Sequence, residues 1–170
     1  MSVRVALIVG SLRQGSYSRA LAMAVKDLAA PGLELVPVEI GDLPLYNPDL
    51  EDQVPASWAR FRQAVEETTA VLFVTPEYNR SIPGALKNAL DVGSRPYGHS
   101  VWQGKPAAIV SVSPGAIGAF GANHHLRQPL VFLNMPVMQQ PEAYVGNVEA
   151  LLDDEGRLTN EGTRDFLKTF

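Results

Sequence analysis

The feature that most limits the fold is an alternation. Short runs of β-branched and aliphatic residues take turns with stretches whose apolar residues recur every three or four positions. Val3 to Val9 is the first run, and it stops at Gly10 as a strand buried on both faces would. Leu21, Val25 and Leu28 then lay one apolar stripe along a helix over about Ser18 to Ala29, and Pro31-Gly32 closes it. Leu33 to Val38 reads as a second strand, and a strand, crossover helix and strand in this order pair their strands in parallel.

The alternation continues to the end of the chain. Gly41 to Pro55, broken by Pro44, Asn47, Pro48 and Pro55, reads as an irregular connection. Trp58, Phe61 and Val65 fall at helical spacing and lead into Ala70 to Thr75, the clearest buried strand. Ile82, Leu86 and Leu90 predict a helix with Pro83 in its first turn and Gly93 at its exit. Pro106 to Ser113 is a further strand; Leu126, Leu130 and Leu133 predict a helix that Pro129 should kink or restart. A last strand is expected between Pro136 and Tyr144, an acidic solvated turn at Asp153 to Gly156, and a final helix over about Asn160 to Leu167. The expected fold class is α/β: a doubly wound, five-stranded parallel sheet with helices on both faces, in one domain over residues 1–170.

Composition excludes several functions. With 14 basic and 18 acidic residues the net charge is −4, which offers no footprint for nucleic acid. The chain has no cysteine, so disulfides, thiolate catalysis and Fe–S clusters are absent and any redox chemistry needs a bound cofactor. Apolar runs are far shorter than the ~20 residues of a membrane span, and the N-terminus shows no secretory pattern. A cytoplasmic protein is expected.

In a doubly wound sheet, ligands bind outside the carboxyl ends of the strands at the switch point. The loops after the first, third and fourth strands should therefore converge. The first, Gly10 to Arg19, sets Ser11, Ser16, Ser18 and the guanidinium of Arg13 beside a helix start, with Tyr17 among them. Hydroxyls, a cation and free helix N–H groups suit a phosphate monoester; a serine-capped turn is the plainer alternative. The loop lacks both the P-loop lysine and the G-x-G-x-x-G spacing.

Gly10-Ser-x-Arg-x-x-Ser-x-Ser-Arg resembles the FMN-phosphate loop of the NADPH-dependent FMN reductase family, whose relatives reduce quinones, chromate and azo dyes on a flavodoxin-like fold. The second loop, Pro76-Glu77-Tyr78-Asn79-Arg80-Ser81-Ile82-Pro83-Gly84 and on to Asp91, is similar to the family's other signature, PEYNxSxPGxLKNAxD. The resemblance implies that backbone groups of Pro76, Glu77, Tyr78 and Asn79 meet the flavin ring edge, with Tyr78 shaping the wall. Lys87, Asn88 and Asp91 are expected to act structurally.

The third loop runs from Ser113 to Ala122, and Ser113 or the Gly115 N–H is expected at the flavin's polar edge. The family commonly carries an arginine after the glycines here, where this chain has Gly121. Adjacent His124 and His125 point in different directions on a helix and make no metal set; packing or a subunit interface is expected of them.

The resemblance implies an NAD(P)H-dependent flavin oxidoreductase. Hydride passes from NADPH or NADH to bound FMN and on to a small-molecule acceptor such as a quinone or free flavin, by ping-pong kinetics. No side chain is assigned as catalytic and no metal is expected. The alternative is a flavodoxin-type electron carrier that does not use NAD(P)H directly. A homodimer or homotetramer is implied, with no nucleic-acid partner.

Overall fold

A computed structural model describes residues 2–170. Five strands, β1 (Val3–Val9), β2 (Leu33–Pro37), β3 (Ala70–Thr75), β4 (Ala107–Val112) and β5 (Ala143–Val145), form one sheet in the order β2-β1-β3-β4-β5, every pair parallel. Four α-helices connect them, α1 (Tyr17–Leu28), α2 (Ala56–Glu66), α3 (Gly84–Gly93) and α4 (Phe120–Phe132), and α5 (Glu161–Thr169) follows β5. This is the flavodoxin-like arrangement, and the strand order reverses between β1 and β3.

Alternating side chains of the central strands feed two cores. Ala6, Ile8 and Phe73 join Trp58, Phe61, Leu86, Trp102 and Leu126 on the face covered by α2, α3 and α4. Leu7, Leu72, Val74 and Val110 join Leu21, Val25 and Leu167 on the face covered by α1 and α5. A strand buried on both sides needs a nearly continuous apolar run, which is why β1 and β3 are so plain in the sequence. Trp58 and Trp102 are fully buried, and each satisfies its indole N–H on a carbonyl, Pro44 at 3.0 Å and Leu90 at 2.9 Å.

Three elements depart from expectation. The stretch before Pro55 is less irregular than its prolines suggest: Pro48–Gln53 forms a 3₁₀ helix, capped by the Asn47 side chain on the Asp49 N–H. Helix α4 starts at Phe120 and runs through Pro129 without a break. The His125 carbonyl loses one helical donor, while fully buried Leu126 and Leu130 on either side keep the helix on the core. The last strand is split. Val137 makes an isolated bridge to Ala107, the chain leaves the edge through Gln139 to Glu142, where Pro141 has no N–H to donate, and it returns at Ala143.

Replacing Trp102 with Phe leaves the buried Leu90 carbonyl with the Ser94 N–H as its remaining donor and vacates part of the pocket. Chemical denaturation should show a loss of about 1–3 kcal/mol, with the far-UV circular dichroism of the folded state unchanged.

Candidate active site

Parallel register sets three strand ends level. Val9 lies beside Val74, and Val74 beside Val110, so the loops after β1, β3 and β4 leave the same edge of the sheet next to one another. The expected site residues all lie on these three loops or in the first turn of α1.

In the first loop Ser11, Ser16 and Ser18 are buried and Arg13 is exposed. Ser16 is the N-cap of α1: its hydroxyl accepts the Arg19 N–H at 3.3 Å. The plainer cap reading is therefore real. It leaves the first-turn N–H groups of Tyr17 and Ser18, which have no partner within the helix, to face the loop. Ser11 Oγ accepts from the Arg13 N–H at 3.3 Å, and the Arg13 guanidinium stands 5.6 Å from the centre of the Tyr17 ring. The Tyr17 hydroxyl itself donates to Glu149 Oε1 at 2.7 Å, which holds its pKa above the ordinary phenol value. What Tyr17 presents to the loop is a ring face and a platform for Arg13.

The second loop folds into a two-residue turn. Tyr78 and Ser81 exchange both backbone hydrogen bonds, at 2.9 and 3.0 Å, with Asn79 at φ 52° and Arg80 at φ 67° between them. Positive φ at both central positions defines a type I′ turn. Asn is at home there; Arg is not, because its Cβ crowds the following carbonyl. The turn presents Tyr78, half exposed, at the sheet edge. Glu77 points the other way. Its carboxylate is only 12% exposed; Oε2 accepts the Ala122 N–H at 3.0 Å and Oε1 pairs with Arg80 Nη1 at 3.0 Å. Its backbone remains on the loop, but its side chain is committed to α4.

In the third loop the Ser113 hydroxyl donates to the Gly115 carbonyl at 2.9 Å. Gly118 stands at φ 59°, and a Cβ there would lie 2.6 Å from the Tyr144 backbone, so only glycine fits. Buried Ser111 donates to the Gly118 carbonyl at 2.7 Å and accepts from Asn123, which fixes the loop over β4. Burial, reinforced by Glu142, pushes the Tyr144 hydroxyl up to about 12, so it stays protonated near neutrality, 2.9 Å from His124 Nε2.

The remaining sequence candidates serve the scaffold. Asn88 accepts from the Tyr46 N–H and donates to the Leu43 and Pro44 carbonyls, and Lys87 pairs with Asp91 at 2.8 Å. His125 Nδ1 is 2.7 Å from Ser81 Oγ. Among the described residues no group of three or more His, Asp or Glu side chains could hold a metal ion. The cross-loop ties made by Ser81, Ser111, Gly118, Ala122, Asn123 and His125 were not legible in the sequence. Their bonds span 7 to 45 residues of chain, and no local pattern marks them.

The chain therefore presents a hydroxyl-rich helix start, an aromatic turn and a glycine loop on one edge of a flavodoxin-like sheet, the class of α/β protein that holds a phosphorylated flat ligand. The donors fit FMN: buried hydroxyls, unpaired first-turn amides and a guanidinium for its phosphate, and backbone edges beside Tyr78 for its ring. The sequence profile of the NADPH-dependent FMN reductase family matches residues 3–150. A quinone reductase of Pseudomonas putida is 62% identical over 167 residues, 98% of this chain and 89% of that protein. A 2-hydroxy-1,4-benzoquinone reductase of a Burkholderia species is 45% identical over 170 residues, 100% of this chain and 93% of that protein. The solved structure of the Paracoccus denitrificans flavoenzyme FerB, an NAD(P)H:(acceptor) oxidoreductase, superimposes with a TM-score of 0.93 at 43% identity, covering 99% of this chain and 92% of that one. This chain belongs to the NADPH-dependent FMN reductase family and is an oxidoreductase that uses FMN and NAD(P)H.

The turn gives a direct test of its backbone. Asn79→Ala should cost about 1 kcal/mol or slightly more, while Asn79→Gly should fall within about 0.5 kcal/mol of the parent, both read from urea unfolding midpoints.

Proposed function

We propose that this protein is an NAD(P)H-dependent quinone reductase working through bound FMN by a ping-pong cycle. The observation that carries the proposal is the convergence of the three loops at level strand ends, together with 62% identity to a quinone reductase over nearly the whole chain. Ser11, Arg13, Ser16 and Ser18, with the first-turn amides of α1, surround the FMN phosphate, and Tyr17 braces Arg13. Backbone groups of Pro76, Glu77, Tyr78 and Asn79 meet the ring edge, and Ser113 and the Gly115 N–H lie at its polar rim. FMN, when bound, supplies the hydride acceptor and donor. The protein's part is to hold the ring fixed and leave one face open, so that nicotinamide and acceptor take turns in one place. No acid or base from a side chain is needed, and an open face admits quinones, free flavin and related acceptors alike.

The unit we propose is a homodimer or homotetramer formed from one domain. Helix α4 also carries apolar side chains on its outer side: Leu126 and Leu130 enter the core, while Val131 and Phe132 stand 72% and 83% exposed and Phe120 about half exposed. Among exposed His124, His125 and Gln128, these large apolar side chains form the kind of surface that a partner covers, and a second copy of this chain is the cover we propose. No helix is long and apolar enough to cross a membrane among the described residues, and we place the enzyme in the cytoplasm.

NADPH or NADH added anaerobically to the FMN-loaded protein should bleach the flavin's visible absorbance, and a quinone should restore it. Loading without bleaching would identify an electron carrier instead. Arg13→Ala should weaken FMN binding about tenfold or more, measured by quenching of FMN fluorescence. In sedimentation velocity the parent should run as a dimer or tetramer, and Phe132→Glu should shift it towards smaller species.

A further inference from the structure

Helix α4 begins without a cap of its own. Its N-cap residue is Ala119, held at φ 58°, with no side-chain oxygen to offer the first-turn amides. A cap residue normally accepts from the second or third amide of the helix. Here the third amide, Ala122 N–H, donates to Glu77 Oε2, a carboxylate 45 residues earlier on a different loop. Room for that carboxylate exists because residue 121 is glycine: a Cβ at Gly121 would lie 2.8 Å from Glu77 Oε2 and 3.3 Å from the Arg80 carbonyl. Arg80 holds the other carboxylate oxygen, and a bulky side chain is kept at φ 67° in a turn position that favours glycine. Ser81 adds a second tie to the same helix through His125 Nδ1 at 2.7 Å.

The geometry points to Glu77 as a positioning residue for the flavin site: it caps α4 across space and so fixes the spacing between the Tyr78 turn and the Ser113–Gly118 loop. The inference rests on the flavin reading of those two loops. Glu77 does not need to touch the ring. A negative group at a helix N-terminus is favoured by the helix dipole, and Arg80 keeps that group aimed at the helix by occupying its second oxygen. If the clamp opens, the fraction of molecules with both ring-contacting loops in place falls, and apparent affinity falls by the same factor.

The test compares FMN binding, by fluorescence quenching, in the parent and in Glu77→Gln, Glu77→Ala, Gly121→Ala and Asn160→Ala. Asn160 caps α5 through the Thr163 N–H at 2.9 Å, on the opposite face of the sheet, and serves as a matched loss of one cap. Glu77→Ala should weaken binding about fivefold, the fold-change expected when a cap of typical strength is lost. Glu77→Gln, which keeps one acceptor for the amide, should stay within about threefold. Gly121→Ala should weaken FMN as Glu77→Ala does, although alanine suits a helix better than glycine. Asn160→Ala should lower the melting temperature and leave FMN affinity unchanged. In the flavin-free protein, amide exchange at Ala122 should quicken in Glu77→Ala and Gly121→Ala. The proposal is overturned if Glu77→Ala binds FMN like the parent, or if Asn160→Ala weakens binding equally. A parent protein that fails to bind FMN, with Ala122 still protected by Glu77, would overturn the flavin reading and leave the cap standing.

Discussion

Parallel pairing of β1, β3 and β4 brings Val9, Val74 and Val110 side by side, and the position of everything chemical follows from it. A parallel strand cannot return through a tight hairpin, so each connection crosses over through a helix, and each strand ends on the same edge. The reversal of strand order between β1 and β3 leaves a crevice there that no crossover helix covers. In the function proposed here, the FMN phosphate reaches a helix N-terminus in that crevice and its flat ring lies across the neighbouring loops. The apolar runs that bury both faces of the sheet are what hold the three ends level.

Close approach at the edge is bought with unusual backbone. Gly118 passes so near the Tyr144 backbone that a methyl group cannot be fitted, and Asn79, Arg80 and Ala119 all sit at positive φ. These conformations persist because the surroundings over-determine them: Ser111 and Asn123 beneath the third loop, Glu77 and Ser81 between the turn and α4. Strain gathered at one end of a sheet whose strands are otherwise regular fits a site built to present fixed donors to a ligand.

The central strands were legible because burial on both faces leaves a run that resembles nothing else, and the helix stripes because one face of each is dry. The elements that were not legible have physical causes too. The last strand pairs only at a sheet edge, so three residues and one bridge suffice, and Pro141 breaks the run the eye looks for. Helix α4 announces itself at Leu126 but begins at Phe120, because its start is stabilised by Glu77 from another loop and leaves no cap in its own sequence. The signature loops were found by resemblance, and their residue types matched the chemistry. Which way each side chain turns was not legible: the Glu77 carboxylate faces a helix, and the Tyr17 hydroxyl faces Glu149, through contacts made far along the chain.

The proposed seat of FMN is the edge formed by these three loops. It is tested most directly by titrating FMN into the isotope-labelled, flavin-free protein and following backbone amide resonances. Saturable shifts are expected, concentrated at Ser11 to Ser18, Pro76 to Asn79 and Ser113 to Gly118. Shifts centred instead on the apolar groove at the opposite strand ends, lined by Val25, Leu35, Met138 and Phe170, would contradict it.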